Sequence, residues 1–436
     1  MNIEELYRLF LKHPSVSTDS RSIKPGSIFF ALGGENFDGN KFAKQAIEKG
    51  STYSVIDNPA FKEDDRFILV EDSLIALQQL AALHRSKLNI PLIAITGSNG
   101  KTTTKELTHA VLSKKYNAYA TKGNRNNHIG VPLSLLELNA ETEIAVIEMG
   151  ANHQREIAAL CDIANPDFGM ITNVGKAHLE GFGGIEGVKK GKGELYGHIA
   201  KNGGTIFINA ENYDLHSLTE TAGVKKIISY GTNSAFDCSG KVVEEFPALK
   251  ISWRTKNNPA ENIIQTHLPG SYNLENILAA ICIGNYFGVE AENINSAIAE
   301  YVPSNNRSQI VKKGSRTIIL DCYNANPSSM TAALSNLSGI TAGRKVAILG
   351  DMLELGGDSE ALHRAVIEQL AALSTDEIIL IGENFTAASK NETVKCRTFA
   401  TADEAKEFLS KNKFQDSVIL IKGSHALHLE NLLDVL

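Results

Sequence analysis

Cysteine is scarce in this chain, with five residues in 436, and Cys161, Cys238, Cys282, Cys322 and Cys396 lie far apart without a C-x-x-C pair. That spacing excludes a zinc-knuckle or disulfide-stapled design and fits a reducing compartment. Long apolar runs are also missing. The most apolar stretch, NLENILAAICIGNYFGV, is interrupted by Glu275, Asn276 and Asn285, too polar to span a bilayer. The opening MNIEELYRLFLKH reads as an acidic amphipathic helix, without the basic start and continuous apolar core of a signal peptide. Positive charge is not in excess either, since 43 Lys and Arg face 50 Asp and Glu for a formal net charge of −7. Broad nucleic-acid binding is therefore not expected, and any phosphate site must be local. No internal repeat or low-complexity tract stands out. These absences lead to the expectation of a soluble, cytoplasmic monomer with no nucleic-acid partner and no membrane insertion.

What the chain does have is length and a hydrophobic content of 43%, enough for about two to four cores. Up to residue 87, short strand-like runs (GSIFFAL, YSVI, FILV) precede a helical LIALQQLAALHRSKL. From 88 to 304, PLIAITG, NAYAT, EIAVIEMGA, FGMITNV and GTIFINA alternate with helical segments, the pattern of a doubly wound, mostly parallel sheet. The stretch from about 225 to 270 (KIISYG, CSGKVV, LKISWR, IIQTHLPG) is more polar and reads as an antiparallel edge on that sheet. From 305 to 436, RTIILD, KVAILGD, EIILIG, KCRTFA and SVILIKG alternate with helices, predicting a Rossmann-like α/β unit. The expected fold class is α/β in three domains, 1–87, 88–304 and 305–436.

The segment AITGSNGKTTTKEL supplies a buried strand, a loop with Gly97 and Gly100, and a helix. Glycines let the loop backbone turn its N–H groups toward phosphate oxygens at a helix N-terminus. Gly97, Ser98, Asn99, Gly100, Lys101, Thr102 and Thr103 would form this cradle, with Lys101 on the β and γ phosphates and Thr102 on Mg²⁺. The plainer alternative is a strand-to-helix turn with ordinary capping residues. The usual P-loop pattern places glycine where this chain has Ile95.

At this loop T-G-S-N-G-K-T-T-T-K-E resembles the ATP loop of the Mur ligases, which lack that earlier glycine. The resemblance runs along essentially the whole chain, because further motifs occur in the family's order. STDSRSIKPGSIFFALGGENFDGN resembles the UDP-binding module and implies contacts from Ser20 and Arg21, whose guanidinium fork suits a phosphate. Alone, D-S-R would be a solvated arginine in a turn. TKGNRNNHIG implies an asparagine near the reacting acyl phosphate, Asn126 or Asn127, although an Asn-rich loop is commonly only a turn. AVIEMGANH and ITNVGKAHLEG end apolar strands, and the resemblance assigns Glu148 and His178 to Mg²⁺; without it, Glu148 could cap a turn and His178 sit satisfied in a loop. VKKGKGELY places Lys192 where relatives carry a carbamylated lysine, which would serve a second Mg²⁺, whereas a bare Lys-Gly-Lys run is a solvated basic surface.

LPGSYNLENILAA resembles G-x-H-N-x-x-N-x-L-A-A with Tyr272 in place of histidine, implying Asn276 at the adenine edge. Its plainer reading is an N-capped packing helix. In the last unit, the resemblance implies Arg307 at the γ-phosphate, Asp321 at the ribose and Asn324, in Y-N-A-N-P, at the substrate. IKGSH implies Lys422 and Ser424 as donors to the substrate carboxylate, with His425 where arginine is usual.

Y-N-A-N-P and G-D-M-L-E-L-G point within the family to the branch that joins D-alanyl-D-alanine to a UDP-N-acetylmuramoyl-tripeptide, using ATP and two Mg²⁺ ions. The branch adding the third amino acid in its diaminopimelate form carries D-N-P-R, which does not occur here. Folate-glutamate ligases usually read G-K-G-S where this chain reads G-K-T-T. A regulator that has lost its chemistry is the alternative from another class, and intact Lys101, Thr102, Glu148, His178 and Lys192 weigh against it.

Overall fold

A computed structural model describes residues 1–436 except 35, 36, 342 and 391–393. Its main sheets follow one another along the chain. The first has four parallel strands in the order Val16–Ser17, Ile28–Phe30, Tyr53–Ile56, Phe67–Leu69. Helix Ile3–Lys12 covers it, started by a capping box in which Asn2 and Glu5 satisfy each other's backbone N–H groups.

Helix Ser73–Lys87, capped by Asp72, leads into the next sheet and packs against that unit's helices Gly130–Leu136 and Glu156–Ala164. Leu77 and Leu80 share one core with Leu135 and Leu160, while Arg85 Nε donates to Ala164 O at 3.0 Å and its terminal nitrogen pairs with Asp167 at 2.9 Å. The connection between the first two units is thus a buried helix rather than a solvated linker.

The central sheet has nine strands, from Asn262–Gln265 at one edge to Ala118–Ala120 at the other. Third from the Ala118–Ala120 edge, Leu92–Thr96 lies between the parallel strands Ile144–Glu148 and Phe168–Ile171. All five residues of Leu92–Thr96 are buried, which explains its unbroken apolar run. Ile95, at the place of the usual P-loop glycine, is such a core residue, and truncating it to alanine would cost about 2–5 kcal/mol. One expectation is corrected: Lys226–Gly231 runs parallel to Thr205–Asn209, so the antiparallel edge is confined to Cys238–Glu244, Lys250–Thr255 and Asn262–Gln265. The polarity of KIISYG reflects a strand with exposed Lys226 and Ile227, not a change of direction.

The last sheet orders Gln309–Lys313, Arg316–Asp321, Ser417–Lys422, Arg344–Gly350, Glu377–Ile381 and Arg397–Phe399. Only the first pair is antiparallel. Its hairpin strand Gln309–Lys313 is absent from the sequence reading, because its only apolar residues are the adjacent Ile310 and Val311, followed by Lys312 and Lys313, so it shows neither a buried run nor an alternation. No helix among the described residues is long and apolar enough to cross a membrane.

Candidate active site

Strand Leu92–Thr96 delivers the chain into the loop at Gly97, and helix Lys101–Leu112 leaves it. Gly97 has φ 141° and a Cβ there would lie 2.0 Å from Thr172 Oγ1; Gly100 has φ 80° and a Cβ would lie 2.4 Å from Asn276 Oδ1. Both positions require glycine for conformation and for space. The first loop donors are already engaged, Ser98 N by Asn173 O and Asn99 N by Asn173 Oδ1. The helix ladder begins with Thr104 N on Gly100 O, which leaves the preceding N–H groups of the first turn without intrahelical partners.

This loop borders a cleft of about 870 Å³ between the central and C-terminal units. Ser98, Asn99, Gly100, Lys101 and Thr103 line it, while Gly97 and the buried Thr102 stand behind the surface. Lys101 Nζ folds back onto Gly97 O at 2.7 Å and Ser98 O at 3.2 Å. Burial lowers its pKa to about 8; Glu148 opposes that shift and Arg307 adds to it.

Glu148, at the end of its strand, lines the cleft and is 1% exposed. Its Oε1 accepts from Asn126 Nδ2 at 2.8 Å, whereas Oε2 is buried without a hydrogen-bond partner, 3.9 Å from Lys105 Nζ. An orphaned carboxylate oxygen at a cleft wall fits a cation ligand. The two candidate asparagines part company here: Asn127 Oδ1 accepts Gly130 N at 2.8 Å and closes the turn before helix Gly130–Leu136, although both residues line the cleft.

His178 lines the same cleft, with Nδ1 paired to the Glu354 carboxylate from the C-terminal unit. Burial lowers its pKa; Glu354 opposes that, and Lys101 and Lys192 reinforce it. Lys192 lies one layer back from the surface, 1% exposed, with Nζ donating to Ala151 O at 3.2 Å and standing 5.1 Å from the Phe182 ring centre. It is not a solvated surface lysine. Burial, helped by Lys101, lowers its pKa to about 7.

Across the cleft, Asn276 lies against Gly100 but its side chain is tied inward, Oδ1 accepting from Thr104 Oγ1 at 3.1 Å and Nδ2 donating to Asn273 at 2.9 Å. Helix Asn273–Tyr286 has no side-chain N-cap; Tyr272, at that position, bonds Ser308 Oγ at 3.1 Å instead. The Arg307 guanidinium carbon stands 3.7 Å over the Tyr323 ring, and its buried Nε has no hydrogen-bond partner. Asp321 and Lys422, expected to meet different ligands, pair with each other at 2.6 Å, with Asn324 O 3.4 Å from the same ammonium.

Ser424 is buried and not among the cleft-lining residues; its hydroxyl accepts Leu353 N at 3.1 Å. Ser20 and Arg21 are also outside this cleft, on the first unit, where Arg21 is exposed and forked onto Asp19. The sequence reading names no role for Asn326, whose Nδ2 donates to Asn99 Oδ1 at 2.8 Å, nor for Glu354. Both lie in the quoted Y-N-A-N-P and G-D-M-L-E-L-G motifs, the available signal.

Models of three families match in chain order: the Mur ligase family, catalytic domain, over residues 14–85, the Mur ligase middle domain over 95–284, and the Mur ligase, glutamate ligase domain, over 306–425. A UDP-N-acetylmuramoyl-tripeptide–D-alanyl-D-alanine ligase of Bacillus subtilis is 34% identical, covering 99% of this chain and 96% of its own. The enzyme of that name from Escherichia coli is 35% identical, covering 97% and 93%. Among solved structures, MurF from Acinetobacter baumannii superposes with a TM-score of 0.87 at 33% identity, covering 96% of this chain and 92% of its own. MurF from Thermotoga maritima, in complex with ADP, does so at 0.86 and 27% identity, covering 98% and 97%. Identity of 34–35% over nearly the full length of these enzymes, with the three family models in chain order, means that the chain belongs to the Mur ligase family.

Proposed function

We propose that this protein is an ATP-dependent amide ligase that joins D-alanyl-D-alanine to UDP-N-acetylmuramoyl-tripeptide, a late step in making the peptidoglycan precursor. The observation that carries the reading is the convergence of the glycine loop, Lys101, Glu148 and His178 on one cleft closed by the C-terminal unit. The shared name of the relatives supports the choice of substrates. Division into 1–87, 88–304 and 305–436 remains part of this proposal, with the UDP end held by Ser20 and Arg21 on the first unit.

In this reading the γ-phosphoryl group of ATP passes to the terminal carboxylate of the tripeptide, releasing ADP. The dipeptide amine then attacks the acyl carbon, phosphate leaves, and an amide forms. The N–H groups without intrahelical partners in the first turn of helix Lys101–Leu112 and the Lys101 ammonium hold the phosphates and offset charge as it develops. Asn126 keeps the Glu148 carboxylate oriented through Oε1. The buried, unpartnered Nε of Arg307 is a donor available to an anion arriving in the cleft. Holding the C-terminal unit over the cleft excludes water from an intermediate prone to hydrolysis.

Magnesium, when bound, would neutralise phosphate charge. Glu148, through its orphaned Oε2, and His178 line the cleft and have the donor chemistry to hold it, whereas Thr102, expected beside them, is buried behind the cleft surface. Among the described residues no group of three or more His, Cys, Asp or Glu forms a complete metal cage, so phosphate oxygens and water would fill the remaining positions. Lys192 fits carbamylation, because a lysine with a pKa of about 7 presents a substantial neutral amine to CO₂ at neutral pH.

The test is a competition. UDP-linked tripeptide, ATP and Mg²⁺ are supplied with single amino acids and D-alanyl-D-alanine in parallel, and products are identified by mass. Dipeptide-extended product is expected; extension by one amino acid, or turnover of a UDP-linked dipeptide, would overturn the assignment.

A further inference from the structure

The G-D-M-L-E-L-G segment and the serine of I-K-G-S-H have no task in the chemistry above, yet they meet at one place. Glu354 in the first motif reaches from the C-terminal unit to Nδ1 of His178 on the central unit, 176 residues away in sequence. Its loop is pinned from behind. Met352 N donates to His363 Nε2 at 3.0 Å, and His363 is itself seated on Ser359 O through Nδ1 at 2.7 Å. Leu353 N donates to Ser424 Oγ at 3.1 Å, and Ser424 N returns a bond to Asp351 O.

We infer that Glu354 is a positioning residue for His178: its carboxylate accepts the Nδ1–H and so selects the imidazole tautomer whose Nε2 keeps the lone pair. A neutral imidazole can carry its proton on either nitrogen, and the partner of one nitrogen decides which. With Nδ1 donating to Glu354, Nε2 is the nitrogen left to accept a proton or a cation in the cleft that His178 lines.

A second observation points the same way. His178 and Glu354 both have positive φ, 52° and 62°. Residues with a Cβ seldom adopt that region, and it persists where surrounding contacts over-determine it. Here those contacts include the seam itself, where Lys176 N donates to Ser328 Oγ at 3.1 Å and the helical turn Leu179–Phe182 lies against Gly356–Asp358. The pair can form only while the C-terminal unit is docked. His178 then acquires a defined tautomer when the cleft is closed and loses it when the units part, which ties competence of the imidazole to closure. Ser424 enters as a support of the Glu354 loop rather than as a donor to substrate.

The inference takes from the proposed function only what His178 does once positioned; the tautomer itself is independent of it. The direct test is ¹⁵N NMR of the histidine side chains in full-length, magnesium-free protein, with the His178 signals assigned by their loss in His178→Ala. Wild type should show Nδ1 protonated and Nε2 bare. Glu354→Ala should move both signals toward the opposite tautomer, and Glu354→Gln, which keeps an acceptor oxygen, should restore the wild-type pattern. In ligation assays, kcat of Glu354→Ala should fall about 10- to 100-fold with the KM for ATP nearly unchanged, and Ser424→Ala should fall less in the same direction. A wild-type His178 signature in Glu354→Ala would overturn the inference whatever the rate, since a rate loss alone would mean a merely structural contact. Full activity in Glu354→Ala would overturn it as well. If wild type fails to make the dipeptide-extended product, the proposed function falls, while the nitrogen shifts still decide the positioning role.

Discussion

Asn99 of the glycine loop and Asn326 of the C-terminal unit are joined side chain to side chain, Asn326 Nδ2 donating to Asn99 Oδ1 at 2.8 Å. Asn326 also caps helix Pro327–Gly339 by accepting Ser329 N, so one residue starts a helix and fastens it to the loop of another unit. Asn326→Asp keeps the cap oxygen and removes the donor. Losing a neutral hydrogen bond costs about 0.5–1.5 kcal/mol, enough to shift a docked population several-fold. We expect an expanded molecule by small-angle scattering without ligands and slower ligation at little change in melting temperature. Unchanged scattering and rate would show that this bond does not hold the units together.

Lys101→Ala should abolish ATP turnover while leaving the fold in place. The ammonium rests on loop carbonyls, and burial holds its pKa down at about 8, so the charge is kept in the cleft against a desolvation penalty. Circular dichroism and melting should match wild type. Near-normal turnover in the folded variant would sink the phosphate-loop assignment.

Lys192→Ala should be nearly inactive and partly rescued by short carboxylic acids in excess, which would stand in for a carbamate. Activity in the unsupplemented variant equal to wild type would refute the role.

The same lysine predicts a pH dependence of stability. Its pKa is lowered by burial to about 7 when folded, from the ordinary 10.5. Between those values the unfolded chain binds more protons, so stability should rise with pH across that window, be complete above about 10.5, and be lost as pH falls through about 7. Urea midpoints in CO₂-free buffer should show this rise in wild type relative to Lys192→Met. Parallel profiles for the two proteins would contradict a buried, neutral amine.

Arg21→Ala should weaken binding of the UDP-linked substrate and spare ATP, since Arg21 lies outside the cleft that contains the loop. Its pairing with Asp19 is exposed and worth little, so stability should hardly move. Calorimetry on each ligand separates the two affinities, and equal loss of both would count against separate sites.

Strand Leu92–Thr96, the glycine loop and helix Lys101–Leu112 were legible in the sequence because they are local. An apolar run, two glycines at positive φ and a helix start lie within neighbouring residues, and each obeys backbone sterics that need no distant partner. The parallel strands of the last unit were legible for the same reason, as local apolar runs, apart from the hairpin strand Gln309–Lys313, whose two lysines leave it only a short apolar pair. Partner choice was not. Asp321 holds Lys422, Thr104 holds Asn276, Leu353 holds Ser424, and His178 meets Glu354, each between residues far apart in sequence that only the packing of strands, helices and units brings together. A side chain's chemistry is written in its residue type, but which nitrogen or oxygen it spends depends on what folding places within about 3 Å. The sequence thus determined the elements and the stock of reactive groups, and only the tertiary structure decided which groups face the cleft free and which are already engaged.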